Sequence, residues 1–73
     1  MAQYQGHRSW NAWNVSLWIA NDEGLYRWAD GLVKEYGAGK AARILSRELE
    51  GESTPDGAKF NPTCIREALR DWS

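Results

Sequence analysis

One cysteine and one histidine in 73 residues are too few for an internal disulfide or a zinc–thiolate site. The lack of paired cysteines suits a reducing compartment, so a cytoplasmic home is expected. No apolar run approaches the ~18–20 residues that cross a bilayer, which excludes a transmembrane helix and argues against a membrane partner. The opening stretch MAQYQGHRSW is polar and lacks the apolar core of a signal peptide. Asn14-Val15-Ser16 fits the glycosylation pattern, but without a secretion signal it is discounted. An excess of one charge is missing too. Nine Lys+Arg face ten Asp+Glu, for a net charge of −1, so the chain lacks the strongly basic balance typical of nucleic-acid binders. No internal repeat or low-complexity tract is present.

What the chain does have is aromatic mass: five Trp, three Tyr and one Phe. Below ~70–80 residues a single core rarely supplies more than ~3–5 kcal/mol. Each large aromatic can bury ~150–250 Å², so a few go far in a domain this small. Trp10, Trp13, Trp18, Trp28 and Trp72 nevertheless exceed what such an interior can shelter with every indole N–H satisfied. Some of this surface is expected to face a partner, since Trp is enriched at interface hot spots.

Along the chain, residues 1–8 read as a flexible arm. Ser9 is a candidate N-cap for Trp10 to Asn21. As a strand, that segment would put Trp13, Val15, Leu17 and Ile19 on one face. As a helix, it puts Trp10, Trp13, Leu17 and Ala20 on one face, with Val15 and Ile19 opposite. No second strand exists for it to pair with, so helix is preferred. Asn21 and Asp22 can cap a second helix. In it Leu25, Ala29, Leu32 and Tyr36 form a stripe widened by Trp28 and Val33, and Gly37 is the stop. Gly24 and Gly31 each weaken that helix by up to ~1 kcal/mol, which close helix–helix approach would explain. Ala38 to Glu50 is a third amphipathic helix, with Ala41, Ala42, Leu45 and Leu49 inward. Residues 51–60 are rich in turn formers and are expected to be a mobile excursion anchored at Phe60. Asn61-Pro62 opens a last helix with Ile65, Ala68, Leu69 and Trp72 inward. The expected fold is all-α: one small domain over residues 1–73, a compact bundle of three to four short helices, with the first packed on the second and fourth.

Catalytic motifs fail on inspection. Gly37-Ala38-Gly39-Lys40 resembles a phosphate loop, but Lys34 stands where the first Gly belongs and Ala41 where Ser or Thr belongs. His7 and Cys64 would have to unite the arm with a core stripe to make a nucleophile pair, and Cys64 reads as a small apolar filler. Asp22 and Glu23 diverge on a helix, so capping accounts for them. No catalytic residue, metal site or cofactor is expected. Lys40, Arg43 and Arg47 share one face and are the candidate phosphate contacts, although a solvated face is the plainer reading.

The run from Ser9 to Tyr26, SWNAWNVSLWIANDEGLY, resembles a family of small uncharacterised proteins carried mainly by bacteriophages and mobile elements. Their shared signature is W…TWNVxLWIxNDExLY near the N-terminus. The resemblance implies provenance rather than chemistry. Small phage proteins without catalytic motifs often occlude a host protein, as anti-CRISPR and anti-restriction inhibitors do. The expected function is therefore non-enzymatic binding of a host protein or complex in the host cytoplasm. Trp18, Asp22, Glu23, Trp28 and Asp30 are the candidate protein-binding residues, with the acids placed to compete for a basic groove. The alternatives are a nucleic-acid-binding accessory protein using Lys40, Arg43 and Arg47, and a self-associating protein that hides its Trp surface in a homodimer.

Overall fold

The computed structural model describes residues 9–70 and 72, so His7 and the arm over residues 1–8 lie outside the described residues. Four helices follow one another: α1 (Trp10–Asn21), α2 (Glu23–Tyr36), α3 (Ala38–Glu48) and α4 (Pro62–Leu69). Among the described residues there is no strand, only an isolated antiparallel bridge between Ser53 and Lys59. The fold is a small all-α bundle, as the periodicity predicts.

Local chemistry sets the helix starts. The Ser9 hydroxyl accepts the Ala12 N–H at 3.1 Å, the Asp22 carboxylate that of Leu25 at 3.0 Å, and the Asn61 carbonyl that of Cys64 at 2.8 Å. Each satisfies a donor that has no partner inside its own helix. Pro62 takes the first position of α4, where its missing N–H is harmless. Gly37 alone joins α2 to α3, at φ +89° and ψ 160°. That region of backbone space is essentially restricted to glycine, and it lets two helices meet without a loop.

α1 packs on α2 and α4, and α3 closes the ring by packing on the same two helices. Val15, Ile19, Leu45, Ile65 and Leu69 are fully buried at the centre. Ala12, Ala29, Ala41 and Ala42 line the seams, where small side chains let the helices approach. Cys64 is buried in this core as the filler its composition suggests.

Several details depart from the periodicity. The inner face of α1 is Ala12, Val15 and Ile19, and the Trp10–Trp13–Leu17–Ala20 stripe is the outer one. Both sets have the same i, i+3, i+7 spacing, so spacing alone cannot choose. Shape does, because a crowded seam accepts Ala, Val and Ile more readily than indoles. Tyr36 belongs to the α2 stripe by spacing, but it sits at the helix end and is 49% exposed. α3 stops at Glu48, and Trp72 lies beyond α4. The Trp72 N–H still bonds to the Leu69 carbonyl, which holds the ring near the bundle. Close helix approach does not account for the α2 glycines within this chain. A Cβ at Gly31 would meet nothing within 4 Å, and one at Gly24 would meet only the Asp22 side chain at 3.4 Å.

The segment over residues 51–60 is clamped to α1 rather than loose. The side-chain amide of Asn11 acts like one rung of a ladder: it donates to the Lys59 carbonyl and accepts the Lys59 N–H, both at 2.9 Å. One turn on, the Asn14 carbonyl accepts the Thr54 hydroxyl at 2.6 Å, and its amide nitrogen donates to Asp56 at 3.0 Å. A further turn on, the Trp18 indole N–H donates to the same Asp56 oxygen at 2.9 Å. Thr54 also takes the Ala58 N–H, so the turn is tied to itself as well as to the helix. Thr54, Ala58 and Phe60 are buried beneath it.

Candidate protein-binding surface

The five residues expected to bind protein do not form one patch. Trp18 is half-buried at the α1 clamp, with its N–H on Asp56. Asp22 caps α2. Glu23 holds Arg27 at 2.6 Å, one turn along the exposed side of α2. Asp30 holds Lys34 at 2.9 Å and also accepts the Trp72 indole N–H at 3.0 Å. Tyr26 packs against that same indole, with ring centroids 5.1 Å apart. Trp28 stands two residues from Asp30, which on a helix turns it about 160° away.

The carboxylates are therefore engaged within the chain. The Trp72 hydrogen bond, followed by that of Lys34, holds the Asp30 carboxyl below its ordinary range, and the same pairing raises the Lys34 ammonium. Hydrogen bonds from Asn14 and then Trp18 do the same to Asp56. A carboxyl whose folded pKa is depressed binds fewer protons folded than unfolded. The stability it contributes is present above the ordinary value of 3.8 and is lost as pH falls through the lowered folded value. The urea midpoint should stay level between about pH 7 and 5 and drop below about pH 4. The double variant Asp30→Asn/Asp56→Asn should flatten that acid limb. An acid limb of unchanged slope in the double variant would show that other groups drive it.

Beside its charged residues, α2 leaves aromatic surface to solvent. Trp28, Leu32 and Tyr36 recur every fourth residue and form one ridge. Trp28 is 37% exposed, Tyr36 is 49% exposed and Leu32 is half-buried between them. Gly31 beside this ridge has open space above it, and α2 fully buries Ala29 alone. The Glu23–Arg27 and Asp30–Lys34 pairs lie on the opposite side of the helix from the ridge.

The cations Lys40, Arg43 and Arg47 all lie exposed on the outer side of α3, as their spacing predicts. Arg66 of α4, which the linear pattern did not group with them, lines a depression together with Arg43. A basic residue one turn into the last helix was the only available signal, and its neighbour across the bundle could not be read from local spacing. Among the described residues, no three His, Cys, Asp or Glu side chains come together to hold a metal ion, and no helix is long and apolar enough to cross a membrane.

No curated protein and no solved structure matches the chain with significance. A family model does match, over residues 1–71, and so spans the clamp, the α2 ridge and the basic face together. The chain belongs to that family, a family of unknown function (DUF7249).

Proposed function

We propose that the protein is a non-enzymatic protein-binding module, a phage-type inhibitor that occludes a host protein in the host cytoplasm. Counter-defence, against CRISPR or restriction systems, is the setting that the resemblance of residues 9–26 suggests. The observation that carries the binding reading is the ridge of Trp28, Leu32 and Tyr36, which spends aromatic surface on solvent in a chain with little core to spare. An indole seated in an apolar pocket of the target supplies the affinity.

The test is capture from a host lysate, followed by titration of the purified partner. Trp28→Ala should weaken that complex by about 30-fold or more, the scale of an interface hot spot, and leave the circular dichroism unchanged. An unaltered affinity would remove Trp28 from the interface, and with it the reading. Sedimentation over a wide concentration range separates this from self-association. A strict monomer leaves the ridge free for a host protein, whereas a dimer that Trp28→Ala dissolves points to a second copy instead.

A further inference from the structure

We propose that the joined outer faces of α3 and α4 form a second site, one that binds single-stranded nucleic acid through Lys40, Arg43, Arg47 and Arg66 with Tyr36 as a stacking platform. The site shares Tyr36 with the end of the α2 ridge, but its four cations lie on α3 and α4 and it does not depend on Trp28. Its first ground is unneutralised charge. The ion pairs among the described residues, Glu23–Arg27 and Asp30–Lys34, both lie on α2. The cations of α3 and Arg66 have no such partner and are all exposed. Two shallow depressions share Arg43 as a common wall. One, of about 210 Å³, has Arg66 opposite Arg43, and the other, of about 280 Å³, carries Lys40 and Arg47. A backbone laid across α3 thus meets cations on both sides of Arg43. Three of the four are arginines, whose planar fork matches a phosphate bidentately.

The second ground is the ring at one end. The Tyr36 ring is half exposed, and the Lys40 ammonium sits over one of its faces, 5.3 Å from the centroid, so a base would stack on the other face. A base stacked on an aromatic face beside cations that follow the phosphates is the recurring arrangement for single strands. An acidic protein would use the same charges but would gain little from that platform. Glu48 lines the Lys40–Arg43–Arg47 depression as well, and with the chain's net charge of −1 it limits the site to a few phosphates.

The experiment is fluorescence anisotropy of the full chain with a labelled oligothymidylate of about a dozen nucleotides, titrated at several salt concentrations. Three to four neutralised phosphates give a log–log salt slope of about −2 to −3. Arg43→Glu/Arg66→Glu should lower affinity at least tenfold at low salt. Tyr36→Ala should lower it several-fold, with Tyr36→Phe close to the parent. Arg27→Glu, on α2, should change little and shows that reversing a cation elsewhere does not weaken binding. Absence of binding at low salt, or indifference to the double charge reversal, overturns the site. Equal binding of duplex DNA that ignores Tyr36→Ala overturns the single-strand assignment. Competition by polyglutamate as effective as by unlabelled oligonucleotide overturns it in favour of an acidic protein. Circular dichroism of each variant, unchanged from the parent, keeps these outcomes free of misfolding.

Discussion

Ile65→Ala is expected to leave the chain without a cooperative folded state at room temperature. Ile65 is completely buried where α4 meets α1 and α3. Removing a buried Ile side chain down to Ala costs about 2–5 kcal/mol, through lost transfer free energy plus the cavity left behind. A single core in a chain this short supplies roughly 3–5 kcal/mol in total, so the loss is comparable to the whole margin. α4 has no reserve of its own. It is eight residues long, and isolated helices below ~12–15 residues are marginal in water. Helical circular dichroism should fall well below the parent's, with a broad melt. Ile65→Val, at about 0.5–1.5 kcal/mol, should keep a cooperative but earlier transition. If Ile65→Ala melts sharply within a few degrees of the parent, the core is better reinforced than its size suggests.

Ile65 could be picked out from the sequence because its cues are local. Asn61-Pro62 marks the start of α4, and positions 65, 68 and 69 follow at helical spacing. The same holds for Ser9, Asp22 and Gly37. A short oxygen-bearing side chain or a glycine at a junction has one dominant use, so the helix starts follow nearly residue by residue, while the ends of α3 and α4 fall two to three residues short of the expected ones. The inner face of α1 was not legible, because two apolar stripes of equal spacing compete and the choice depends on seams formed by other helices. Surface position was only partly legible. Lys40, Arg43 and Arg47 can be placed on one face from their spacing, but Arg66 joins them only through the packing of α3 on α4. Of the expected acidic residues, Asp22 caps α2, Glu23 pairs with Arg27 while both stay largely exposed, and Asp30 holds Lys34 and the Trp72 indole. Charge counts along a chain do not reveal which charges are already spent. Among the described residues, Lys40, Arg43, Arg47 and Arg66 are in no ion pair.

The clamp over residues 51–60 was the least legible feature, and it yields the last large expected effect. Asn11, Asn14 and Trp18 share one face of α1, but their partners in the clamp lie 38 to 48 residues away. One cue was available. Asn is a poor helix former, and two of them one turn apart inside an apolar helix imply polar partners from elsewhere. Asn14 is 2% exposed, and it uses its carbonyl on Thr54 and its amide on Asp56. Asn14→Ala strips both at once. Thr54, itself buried, loses the acceptor for its hydroxyl, and each buried polar group left short of a partner costs about 1–3 kcal/mol. With the cavity added, the loss should reach about 2–4 kcal/mol. Urea titration followed by circular dichroism and by the summed indole fluorescence would measure it. Thr54→Val should cost less. The double variant should cost less than the sum of the two, because the shared hydrogen bond can be lost only once. Asn14→Asp provides a sharper contrast: it places a second carboxylate about 3 Å from Asp56, and two such charges cannot both stay ionised. Its destabilisation should therefore ease on mild acidification, before the parent begins to lose stability. Additive single costs, or an Asn14→Asp variant with no such relief, would mean that the Asn14 contacts contribute only register, and that residues 51–60 are held by the Asn11 rung, Trp18 and the buried Ala58 and Phe60.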